Sequence, residues 1–82
     1  MSNTTLEADL ETLFTELIDY QWKKVKALGE RINPRLTDDD LAQPQDFPEL
    51  ADNAEWNYED GVLAGYRSAH MAVRARLRKG ST

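Results

Sequence analysis

The side chains with chemistry to offer are few, and their spacing decides against most of it. His70 is the only histidine of the 82 residues, and there is no cysteine. Neither a disulfide framework nor a thiolate zinc site is therefore open to the chain. Carboxylate-bridged di-metal bundles use a Glu-x-x-His repeat; here Arg67 stands three residues before His70. Glu59 falls on the same side of a helix as His70, but about 16 Å away along the axis. No metal site and no bound cofactor is expected.

The remaining constellations fail on geometry. Ser68 and His70 are two apart, so on a helix they do not face each other. Glu59 and Asp60 are adjacent and diverge. Asp38, Asp39 and Asp40 lack the spacing and central glycine of a calcium loop, and no phosphate-binding loop is present. His70 instead sits within an apolar stripe, where a lone histidine is usually a hydrogen-bonded core residue. Gln21, inside the apolar arc of the first helix, is its expected buried partner. Tyr58, Tyr66 and Trp56 could line a small-molecule notch, but core packing explains them as well. An enzyme or ligand carrier would draw on Tyr66, His70 and Gln21. No catalytic residue is assigned, and a non-enzymatic role is expected.

Charge suggests two further readings. Arg67, Arg74 and Arg78 share one helix face and could meet a nucleic acid. The net charge of -5 argues against this, because phosphate binding needs a strong positive field. Conversely, residues 37 to 60 hold nine acids and no bases. That segment could act as an acidic mimic or inhibitor docking on a basic partner.

These residues must be placed by helices. Leu6, Leu10, Leu13, Phe14, Leu17, Ile18, Trp22, Val25, Leu28 and Ile32 follow the spacing of an amphipathic helix. Thr4 and Glu7 fit a capping box, and Pro34 sets the end. The spacing predicts a helix over about 5–32, with Gly29 either ending it a turn early or weakening its last turn. A second helix is predicted over about 57–79, starting near Asn53 or Asn57 and stopping at Gly80. The connection, 33–56, reads as ordered. Thr37 caps a short acidic helix to about Ala42, Pro44 ends it, and Pro48 opens another turn to Ala51. Leu36, Leu41, Phe47, Leu50 and Trp56 are expected to pack over the end of the helix pair.

Each long helix begins acidic and ends basic. Residues 1 to 19 hold five acids and no bases, and residues 66 to 82 hold five bases and no acids. That order suits the helix macrodipole and favours an antiparallel pair. The expected architecture is an all-α, long antiparallel helical hairpin forming one domain, 1–82.

The second helix carries two low-polarity stripes. Val62, Leu63, Tyr66, His70, Val73 and Leu77 form one. Gly61, Gly65, Ser68, Ala69, Ala72 and Ala75 form the other. Each interior glycine costs ~1 kcal/mol against alanine, so close approach by another helix is expected at Gly61 and Gly65. Trp22 is expected to lie over Gly65 or Tyr66. One helix cannot cover both stripes, and the apolar arc of the first helix also exceeds what one neighbour needs. The expectation is a homodimer that closes a four-helix bundle, with Trp22, Gly61, Gly65, Tyr66, Ala69 and Ala72 in the packing or dimer interface. The corresponding function is a small protein-interaction or structural module, soluble and cytoplasmic, since no apolar run reaches membrane-spanning length and the N-terminus has no secretory start.

Overall fold

The computed structural model describes residues 3–80, with side chains from Thr5 to Lys79. A long helix α1 (Asn3–Ile32) is followed by a one-turn helix α2 (Asp38–Leu41) and a 3-10 turn (Pro44–Asp46). A second one-turn helix α3 (Pro48–Ala51) and a long helix α4 (Ala54–Gly80) complete the chain. The fold is all-α, with no strand among the described residues. No described helix is long and apolar enough to cross a membrane.

Local chemistry sets the ends of these elements. α1 runs through Gly29 to Ile32, and the Asn33 N–H still bonds the Gly29 carbonyl at 2.9 Å. The expected Thr4–Glu7 box rests on a Thr4 side chain outside the described residues. Thr37 forms a reciprocal box at α2: its hydroxyl accepts from the Asp40 N–H at 3.2 Å, and the Asp40 carboxylate accepts from the Thr37 N–H at 2.9 Å. Such a cap contributes ~1 kcal/mol. Asn53, not Asn57, caps α4, with Oδ1 accepting from the Trp56 N–H at 2.8 Å. The helix therefore starts three residues before Asn57. The Asn57 amide instead donates to the Ala51 carbonyl at 2.9 Å, tying α3 to α4.

α1 and α4 lie side by side in opposite directions. Glu11, early in α1, meets His70 late in α4, while Gln21 meets Glu59. The core is concentrated where the connection closes the pair. Val25, Leu28, Leu41, Leu50, Trp56 and Leu63 are buried there, with Ile18, Trp22, Ile32, Leu36 and Phe47 packed against them. The apolar residues of the connection thus fill the space between the helices, each buried leucine contributing ~1.5–3 kcal/mol. Lys26 reaches Asp38 at 3.5 Å, and the Asn33 amide donates to Glu49 at 3.0 Å, holding the connection down from outside.

Gly29 has a specific part in this packing. A Cβ there would stand 2.7 Å from a Leu41 methyl and 3.5 Å from Trp56 Nε1. The missing side chain is the space that α2 uses to insert Leu41. Trp56 is fully buried, and its Nε1 finds no hydrogen-bond partner in the protein. That orphan donor costs ~1–3 kcal/mol, which burial of the indole ring must outweigh.

Away from the connection the packing thins. Before Gln21, no described residue of α1 is buried. On α4 beyond Leu63, His70 is the only described residue that is.

Candidate functional site

The expected Gln21–His70 pair does not form. Both side chains are buried, but each meets a glutamate. The Gln21 amide donates to the Glu59 carbonyl at 2.8 Å and to its carboxylate at 2.7 Å. Glu59 is eleven residues before His70, about three turns along the helix. The register therefore differs from the expected one: Gln21 lies level with Glu59, and His70 with Glu11.

His70 belongs to a cross-helix cluster. Its Nε2 stands 2.9 Å from Glu11 Oε1, and its ring stacks on Phe14 with centroids 5.2 Å apart and planes 5° from parallel. Arg74, one turn on, donates through Nε to Glu11 Oε1 at 3.0 Å and through a terminal nitrogen to Oε2. The Arg74 guanidinium, and then the His70 bond, hold the Glu11 carboxyl down to about 2. Glu11 is therefore ionised at neutral pH and can only accept, so Nε2 of His70 carries the hydrogen it donates. Glu11 in turn raises Arg74 further.

The chemistry of this cluster is that of a clamp. A carboxylate so stabilised is a weak proton acceptor. The nearby Thr15 hydroxyl is turned to the Glu11 backbone carbonyl at 2.8 Å. Among the described residues, no hydroxyl is hydrogen-bonded to His70, and no group of three or more acids or histidines is placed to hold a metal ion. Glu11, Phe14 and Arg74 were not singled out from sequence. The four-residue spacing of His70 and Arg74 puts them on one face, but nothing local identifies Glu11 as their partner.

Two sides of the helix pair differ in character. One shallow groove is lined by Thr15, Ile18, Trp22, Arg67, His70 and Arg74. On this side the arginines of the expected basic face are interleaved with acids. Arg74 is paired with Glu11, and Glu7 and Glu11 line a hollow with Arg74 and Arg78. Burial raises the Asp60 carboxyl, while Arg67 opposes that shift. A face so neutralised has little field left for phosphates.

The opposite side is apolar. Leu6, Leu13 and Tyr20 of α1 and Tyr58 of α4 account for four of the five large hydrophobic residues that stand exposed among those described; Met71 is the fifth. At 100° per residue, the α1 trio falls about a quarter-turn or somewhat more short of that helix's buried line. Tyr58, Val62 and Ala69 fall similarly short of the Leu63–His70 line. In antiparallel helices, equal rotations from the contact line emerge on the same side. This side continues into a groove lined by Lys24, Ala27, Arg31, Glu55 and Glu59. Lys24 reaches Glu59 at 3.5 Å, and the bond from Gln21 keeps the Glu59 carboxyl below its ordinary range.

The expected interface residues divide accordingly. Trp22 packs against the core from the arginine side and does not lie over Gly65: a Cβ at Gly61 or Gly65 would meet nothing within 4 Å. Gly61, Gly65, Ala69 and Ala72 are exposed, and Tyr66 is half-buried. Tyr58 is 69% exposed and Trp56 fully buried, so no aromatic notch forms between them. Comparison with protein-family models, with curated proteins and with solved structures gave no match.

Proposed function

We propose that this chain is a non-catalytic protein-interaction module: a helical hairpin that works as a homodimer through its apolar side. The observation that carries the reading is the distribution of apolar exposure. Leu13 is 50% exposed, Tyr20 66% and Leu6 59%, all on the side away from Arg67, Arg74 and Arg78. Half-buried Leu10, Leu17, Val62, Tyr66 and Val73 adjoin them. A contiguous apolar surface of this kind marks an interaction site on a small protein. A chain this short, without cysteines, gains from oligomerisation because its own core is small. The helix pair measures 49 × 19 × 18 Å, and one long side has room for the ~800 Å² per partner of a standard interface.

Sedimentation equilibrium at micromolar concentration tests the reading. The expected species is a dimer. Leu13→Glu is expected to yield a monomer with its helical circular dichroism retained, since Leu13 contributes little to the core of one chain. A wild-type protein that remains monomeric to ~100 μM, weaker than typical stable interfaces, would overturn the proposal.

A further inference from the structure

We infer that the second copy docks about a twofold axis parallel to the helices, so that α1 of each chain lies on α4 of the other. This rests on the homodimer reading and specifies its geometry. Charge on the apolar side selects this arrangement over the alternative twofold, which runs perpendicular to the helices and sets α1 on α1.

At the connection end of the same side, Lys24 and Arg31 stand on α1 and Glu55 and Glu59 on α4. A rotation about an axis parallel to the helices keeps every residue at its own height. Lys24 already meets Glu59 within its own chain, and the rotation brings the exposed Arg31 of one α1 toward the exposed Glu55 of the partner's α4, twice per dimer. The perpendicular axis, centred on the leucines, carries these charges away from one another. Opposite charges at an interface fix orientation and register more than affinity.

The chain lacks cysteine, so introduced thiols are unambiguous. Leu13→Cys chains are mixed with Ala69→Cys chains and oxidised mildly. The mixed disulfide is expected to exceed the Leu13→Cys homodisulfide severalfold, because the two copies of α1 lie diagonally apart. An independent mixture pairs Arg31→Glu chains with Glu55→Arg chains, both at exposed positions. Each alone is expected to dimerise on the order of tenfold more weakly than wild type, and the mixture to recover. A Leu13→Cys homodisulfide that dominates, or a charge mixture no tighter than its components, overturns the arrangement and leaves the homodimer standing. A monomeric wild type removes both.

Discussion

Glu11 is the residue on which the far ends of the two helices depend. It accepts from His70 and Arg74 together, in a region where no described apolar side chain is fully buried. Its carboxyl falls from an ordinary 4.5 to about 2 in the fold. A group depressed on folding stabilises the native state fully above its unfolded value. That contribution is lost as pH falls from 4.5 toward 2. Thermal melts across this window should show an acid-induced loss that Glu11→Gln reduces. Melts of wild type and variant that fall in parallel would show that Glu11 carries no stability linkage. The two kinds of glycine give a second residue-scale expectation. Gly29→Leu must displace Leu41 and should destabilise by ~1–3 kcal/mol. Gly65→Ala meets open space within one chain and should stabilise its helix by up to ~1 kcal/mol. Denaturant midpoints of the two variants should move in opposite directions.

At the scale of elements, the connection does more than link α1 to α4. Its turns are one helical turn each, too short to persist alone. They are held by the Thr37 box, the two prolines and the burial of Leu41 and Leu50. Leu50 is fully buried between α3 and the long helices. Leu50→Ala should cost ~2–5 kcal/mol, a large share of the stability of a domain this size. Urea denaturation followed by circular dichroism measures it. A loss below ~1 kcal/mol would mean that the connection is not part of the core. The starts of α2 and α3 were legible from single residues, since Thr37 and Pro48 act through their own backbone chemistry, whereas the 3-10 turn that Pro44 opens was not. The start of α4 at Ala54 was less so, because Asn53 and Asn57 are equally good caps in isolation. The choice falls to Asn53, since burial of Trp56 draws the first turn inward.

For the whole molecule, the arginine and leucine sides follow from how the two long helices are rotated about their contact line. The arginine side neutralises itself through Glu7 and Glu11, so nucleic acid binding should be weak. Addition of RNA at low salt should leave the sedimentation of the protein unchanged. The leucine side keeps its apolar surface, and Tyr20→Glu, at a position 66% exposed in one chain, should weaken the proposed dimer while leaving the single chain folded. Sedimentation of that variant as a full dimer at all concentrations would separate the leucine side from assembly.

The amino-acid sequence by itself determined the all-α class, the amphipathic periodicity of both long helices, the two one-turn helices between them and the apolar residues that build the core. These are local properties, governed by backbone preferences and by which residues avoid water. Only the tertiary structure decided the register of α1 against α4. With it came the pairing of His70 with Glu11, the separation of Gln21 from His70, and the choice of Gly29 rather than Gly65 as the site of close approach. A helix repeats every 3.6 residues, so several registers bury nearly the same stripe. What separates them is the shape of the space around Leu41, Leu50 and Trp56, which no stretch of chain carries alone.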